Sequence, residues 1–234
     1  MLTRNKNFTL IGIYISGMLL LPMLILSLIV FIRGEAEYVG ESISMDVLSL
    51  TNFIVYSLLC IVLLLLTYKI FKQDFLKIDS WPHLFKQVGL GVLCTFAAAL
   101  IGNSIVMLLG TTDIAANQEL VASALSAMPF LMMITIVFLG PIVEEIIFRL
   151  VLMNLFSWNP IFSLIVSSLL FGFIHVLVGG LIHIIPYFLM GLVFGYFYLK
   201  HNNIWHVTIL HILHNGLTVV LMFWAQRMMA LYNG

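Results

Sequence analysis

Seven stretches of this chain are long and apolar enough that each reads as one crossing of a lipid bilayer. They run roughly over Phe8–Ile32, Val47–Phe71, Phe85–Leu109, Met128–Phe156, Pro160–Val178, Leu181–Leu199 and Ile204–Trp224. A helix needs about 20 such residues to traverse the hydrocarbon core. Within that core the backbone must bond to itself, so helix is the expected form of each stretch. Composition agrees: 62% of residues are hydrophobic and 9% charged, too little charge to coat a soluble domain. The expected fold is an all-α, polytopic membrane helix bundle of about seven transmembrane helices. The first stretch follows Arg4 and Lys6, as the core of a signal peptide would. Its apolar part is too long for that, and no small-x-small cleavage site follows, so it is expected to persist as an anchor.

The charges set an expected orientation. Arg4 and Lys6 precede the first stretch, Lys69, Lys72, Lys77 and Lys86 flank the second connection, and Lys200 lies in the sixth. The first connection carries Glu35, Glu37, Glu41 and Asp46 against Arg33, and the third carries Asp113 and Glu119 with no base. The positive-inside rule places the N-terminus in the cytoplasm and the C-terminus outside. Asp113–Ala127 reads as an amphipathic helix on the outer surface, with Ile114, Leu120, Val121 and Leu125 on one side. Zero net charge points to no nucleic-acid partner. Cys60 and Cys94 sit in separate apolar runs and read as packing.

Ionisable side chains inside the membrane concentrate in the last four stretches. Glu144, Glu145 and Arg149 lie in the fourth, His175 in the fifth, and His206, His211 and His214 with Asn215 in the seventh. The chain therefore divides into residues 1–127, membrane helices that look like packing support plus the outer amphipathic segment, and residues 128–234, a core that carries the chemistry. At 1.5 Å per residue Glu144 lies about 18 Å from the cytoplasmic end of its helix, His175 about 22 Å and His211 about 10 Å. With tilt, these fall in one broad layer, as a shared site within the membrane requires.

Helix geometry separates the two glutamates. Glu145 and Arg149 are spaced i, i+4 and can pair on one face. Glu144 points about 100° away, towards the side of Pro141 and Phe148. Glu145 is then the neutralised, structural acid, and Glu144 is left for chemistry as a general base. Pro141 lacks an N–H and disrupts the turn before it, which bends the helix and admits water. His211 and Asn215, also i, i+4, can present an imidazole and an amide to one oxygen atom.

Taken singly, these features have plainer explanations. An intramembrane Glu–Arg pair is more often a structural or transport element than part of a hydrolase. A lone His175 is more often a packing hydrogen bonder, and His214, His201, His206 and His83 read as packing or interface residues. Gly191 and Gly195 mark a close helix contact. HEXXH is absent, so no standard zincin motif is available.

The ordered set is more specific than its parts. EEIIFR (144–149), FGFIH (171–175) and HILHN (211–215), on separate apolar helices, resemble the EExxxR, FxxxH and HxxxN signature of the CPBP family. That family comprises type II CAAX prenyl endopeptidases and bacteriocin-processing or immunity-associated membrane proteases. The resemblance covers about Met128 to Trp224. It implies that Glu144 activates a water with help from His175, that His211 and Asn215 stabilise the oxyanion, and that Glu145, Arg149 and Phe171 support the scaffold. It also leaves an alternative in which zinc or another divalent ion is held by Glu144, His175 and His211, a set that would suit zinc with one open position. Asn215, an oxyanion donor rather than a preferred zinc ligand, favours the metal-free form.

The expected function is an intramembrane endopeptidase acting on a membrane-associated peptide or protein, of the CAAX or peptide-precursor kind. Two other classes stand beside it. One is a catalytically idle relative serving as a bacteriocin-immunity or binding protein, which need not keep all four of Glu144, His175, His211 and Asn215. The other is a small proton-coupled transporter, whose usual paired repeats are not found here.

Overall fold

The computed structural model describes residues 2–33, 44–177 and 179–233, and these are helical throughout apart from turns, with no strand among the described residues. Glu35, Glu37 and Glu41 of the acidic first connection lie outside them. The helices are α1 (Arg4–Arg33), α2 (Met45–Leu76), α3 (Trp81–Leu108), α4 (Ala116–Ala127), α5 (Pro129–Leu155), α6 (Pro160–His175), α7 (Ile184–His201, entered through a 3₁₀ turn at Leu181–His183) and α8 (Ile204–Asn233). Six of them (α1, α2, α3, α5, α8, and α7 with its 3₁₀ turn) have the length and hydropathy of membrane spans. The fold is an all-α polytopic bundle.

The fifth apolar stretch differs from its expected length. α6 has 16 residues, about 24 Å of helix against a hydrocarbon core of about 30 Å. It stops at His175 because the chain then turns through Gly179 and Gly180, at φ +139° and +73°, a region that favours glycine. Val178, the expected end of that stretch, lies outside the described residues. α6 and α7 form a tight hairpin. A Cβ on Gly172 would stand 3.1 Å from Phe188 N, and one on Gly191 would stand 3.0 Å from Ser168 Cα, so the two backbones touch where glycine permits it.

α4 is also displaced from its expected extent. It begins at Ala116, and Ile114 and Leu120 are exposed. Its inner stripe is Val121, Ala124 and Leu125, spaced i, i+3, i+4, packed towards Met132, Val137 and Val219.

α5 is the axis of the bundle: 56% of its most apolar window is buried, against 6% for α1. Two stretches of it, Thr135–Leu139 and Ile146–Leu152, are π-helical. The first follows from Pro141. Gly140 N–H donates to Thr135 O, five residues back, and Pro141 has no N–H to offer, so Ile136 O is left without a donor in its own helix. At the lysine-rich end Asp74 joins α2 to α8. It accepts from Ile204 N at 3.1 Å and Lys77 Nζ at 2.8 Å, while its carbonyl accepts from Asn203 Nδ2 at 2.7 Å. An acid at the start of α8 complements the helix dipole there.

Candidate active site

Glu145 and Arg149 occupy the driest part of the molecule. Both side chains are fully buried, and Arg149 Nε stands 3.1 Å from Glu145 Oε2. Arg149 Nη1 donates to Ser167 Oγ at 2.8 Å, and that hydroxyl in turn donates a hydrogen bond to Phe148 O at 2.6 Å. The rings of Phe148, Phe171 and Phe194 surround the guanidinium, with centroids 6.0, 5.2 and 5.9 Å from its carbon. A buried charge is tolerated at this depth only with such a shell.

His211 bridges the two glutamates. Its Nδ1 lies 2.8 Å from Glu145 Oε1, and its Nε2 lies 3.8 Å from Glu144 Oε2. A carboxylate already paired with Arg149 can only accept, so Nδ1 carries the proton and Nε2 is the nitrogen turned towards Glu144. At 3.8 Å the second contact is too long for a direct hydrogen bond. The imidazole stacks on Phe194, centroids 4.3 Å apart, with the edge of Phe171 at 5.9 Å. His175 is held in the same way: Nδ1 donates to Phe171 O at 2.7 Å, and the ring stacks on Tyr187 at 4.6 Å. Its Nε2 is likewise left for other partners. Glu144 and His211 both lie near enough to act on His175 electrostatically.

Glu144 differs from its neighbour. Its side chain is 12% exposed, and Gly140 packs closely beside it. A Cβ at Gly140 would stand 3.7 Å from Glu144 Oε1, 3.2 Å from Thr135 O and 4.0 Å from Tyr56 Cε1.

Asn215 sits differently from the geometry expected of it. Its Nδ2 donates to Ile136 O at 2.9 Å, the carbonyl that Pro141 leaves without a donor. The amide therefore mends the π turn of α5, and only its second N–H is available to another acceptor. The i, i+4 spacing put His211 and Asn215 on one face of α8, but each turns to a different part of α5: His211 to Glu145, Asn215 to Ile136. His214 lies elsewhere, with Nδ1 2.9 Å from Thr95 Oγ1. His201 and His206 stack on each other at the lysine-rich end, centroids 4.3 Å apart.

Two imidazoles with fixed Nδ1–H groups and a carboxylate have the chemistry of a zinc donor set with its outer shell in place. Their geometry does not match it: among the described residues no three His, Cys, Asp or Glu side chains converge on one point.

Two residues of this neighbourhood escaped the sequence reading: Ser167 and Phe194. Ser167 had a weak signal, a Ser-Ser pair in an otherwise apolar helix. Phe194 had one in its position between Gly191 and Gly195, where two helices approach closely.

Residues 126–217 match the model of a family described as type II CAAX prenyl endopeptidase Rce1-like, a stretch that contains all three motifs. Over 131 residues the chain is 26% identical to a Bacillus subtilis protein named "Putative membrane peptidase YdiL", covering 55% of this chain and 52% of that protein. Over 92 residues it is 37% identical to an uncharacterized protein of Mycoplasma capricolum subsp. capricolum, covering 39% of this chain and 27% of that one. The chain thus spans about half, or less, of the curated relatives it matches. No solved structure matches it. Motifs, helical frame and family match agree: residues 126–217 of this multi-pass membrane protein match the Rce1-like family, in keeping with the CPBP resemblance of the three motifs.

Proposed function

We propose that this protein is an intramembrane endopeptidase that hydrolyses a peptide bond of a membrane-associated peptide or protein with water activated by Glu144. The observation that carries this reading is the contrast within one pair. Glu145 is spent on Arg149 and His211. Glu144 is buried but keeps 12% of its side chain accessible, with a histidine nitrogen 3.8 Å away.

The chemistry follows from those positions. Water oxygen attacks the carbonyl carbon as its proton passes to Glu144. The oxyanion that forms is met by the second N–H of Asn215 and by the His211 ring, whose Nε2 donates only when the ring carries a second proton. The C–N bond breaks, and Glu144 returns the proton to the leaving amine. His175 Nε2 helps orient the water. The products are a new carboxylate and a new amine. In this reading no step passes through a metal, and the donors on α8 supply the charge stabilisation. The basic and acidic connections put the N-terminus in the cytoplasm, so reporters fused at Asp79 and at Glu119 should report opposite sides.

The test needs no known substrate. Membranes incubated in H₂¹⁸O acquire one ¹⁸O in every new carboxyl terminus, read by mass spectrometry of membrane peptides. Wild-type membranes should yield labelled termini that Glu144→Gln membranes lack, at equal protein level. Equal labelling in both would refute the peptidase reading and leave a binding or immunity role. One zinc per chain, lost together with labelling in His175→Ala and His211→Ala, would replace the direct role of Glu144 with a metal-bound water.

A further inference from the structure

A cleft opens at the end of the bundle away from the lysines, where the chain leaves α3. α3 stops at Leu108, Gly110 turns the chain at φ +88°, and Thr111 N–H donates back to Val106 O at 3.3 Å. The connection to α4 then walls one side of a cleft of about 310 Å³, within the size range of small-ligand sites. Its polar lining is Asn103 of α3, Thr111, Thr112 and Asp113 of the connection, Gln118 of α4, and His183 of the 3₁₀ turn before α7.

His183 is the unusual member. It is 5% exposed, and among the described residues its ring forms no hydrogen bond or ion pair. A buried polar group without a partner is costly, so the ring calls for one in the cleft. Asp113 is exposed and forms no ion pair among the described residues. The lining contains no Lys or Arg, so Asp113 sets its charge. Every polar side chain there has an atom that can accept a hydrogen bond. An ammonium or guanidinium group brings the donors and the positive charge that such a lining matches, whereas an anion would meet Asp113.

The cleft lies one aromatic ring from the candidate active site. His183 and Tyr187 are spaced i, i+4, about 6 Å along the axis of α7. Tyr187 stacks on His175 at 4.6 Å, accepts from Asn117 Nδ2 at 3.4 Å, and packs with Ala115 and Val176. His175 and His183 are thus on the order of 10 Å apart, about three residues of extended chain. We propose that the cleft is a subsite of the peptidase that takes the ammonium or guanidinium group of a basic residue in the substrate, a few positions from the cleaved bond. Asp113 is its charge partner and His183 a hydrogen-bond acceptor. This rests on the peptidase reading above. A basic residue beside a membrane segment lies at the water interface, the level that the end of α3 and the start of α7 reach.

The experiment has a binding arm that needs no hydrolysis. Purified Glu144→Gln protein in detergent, with ¹³C at histidine Cε1, is titrated with Nα-acetyl-lysine amide and, separately, with Nα-acetyl-glutamate amide. The His183 resonance is the one that His183→Gln removes. The lysine probe should shift it saturably and the glutamate probe should not. Asp113→Asn should weaken the lysine probe about 10–100-fold, as loss of a charge-assisted hydrogen bond does. No saturable shift, equal binding by Asp113→Asn, or equal binding of the glutamate probe would overturn the proposal and leave the role of Glu144 intact. If His183→Gln fails to fold, Asp113→Asn, on an exposed connection, decides through whichever histidine resonance moves. The second arm reads the ¹⁸O-labelled termini from wild-type membranes. They should show Lys or Arg at a fixed distance from the new terminus, a preference that Asp113→Asn membranes lose. Labelled termini without that preference would overturn the subsite. Equal labelling in wild type and Glu144→Gln would instead remove the peptidase reading, and the substrate assignment with it, while the titration still shows whether the cleft takes a cation.

Discussion

Glu144 and Glu145 are consecutive residues on one helix, and they face two different regions of the molecule. The Glu145 side is closed: Arg149, Ser167, His211 and three phenylalanine rings fill it. The Glu144 side keeps some access, with 12% of the side chain exposed, a histidine nitrogen 3.8 Å away and Gly140 packed beside it. Burial alone does not make a carboxylate reactive. The fully buried acid has the better set of partners, and those partners fix it. The acid with fewer fixed partners and some access is the one free to exchange a proton. The closed side is therefore expected to answer mutation through stability, and the open side through turnover.

The largest effect should come from Glu145→Gln. It leaves the Arg149 guanidinium buried against a neutral amide and removes the anion that orients His211. Breaking a buried pair by one partner costs about 3–5 kcal/mol. Chemical or thermal unfolding in detergent should show a loss of that order, and expression should fall. Glu144→Gln should melt near wild type and lose hydrolysis. A folded, inactive Glu145→Gln beside an active Glu144→Gln would exchange the two roles.

How much of this comparison the sequence displays depends on whether partners share a helix. Glu145 with Arg149 is visible as an i, i+4 pair, and Pro141 as a disturbance. Ser167 and Phe194 come from other helices, and nothing in a run of apolar residues says which side meets α5. The π turns are hidden as well. An all-apolar helix has no stripe whose period could betray a change from 3.6 residues per turn. The C-terminal limit of α6 was misplaced because hydropathy continues to Val178 while the helix ends before the Gly179-Gly180 reversal. Ile114, Leu120, Val121 and Leu125 are expected on one side of the surface helix, but the helix starts at Ala116 and turns Val121, Ala124 and Leu125 inward.

Asn215 lies between the two regions and sharpens the contrast. Because its amide supplies the donor that Pro141 withholds from Ile136 O, Asn215→Ala should cost about 1–3 kcal/mol in unfolding even with no substrate present. If its second N–H also meets the oxyanion, turnover of the remaining folded protein should fall about 10²–10³-fold. A stability loss with normal specific activity would confine Asn215 to the closed, structural side. The reverse would move it to the open one.

The smallest effect tests the cause of that bond. Pro141→Ala restores an N–H one π turn after Ile136, so the carbonyl regains a donor within α5 and depends less on Asn215. Residues that share an acceptor are coupled, and such couplings run from about 0.5 to 3 kcal/mol. In a double-mutant cycle Asn215→Ala should therefore cost about 1 kcal/mol less in the Pro141→Ala background than alone. The energies would simply add if Ile136 O were satisfied some other way, and the account of Asn215 as the mender of a proline-broken turn would then fail. A cycle that shows the coupling while Pro141→Ala alone leaves hydrolysis intact would further show that the π turn shapes α5 without setting the reactivity of Glu144.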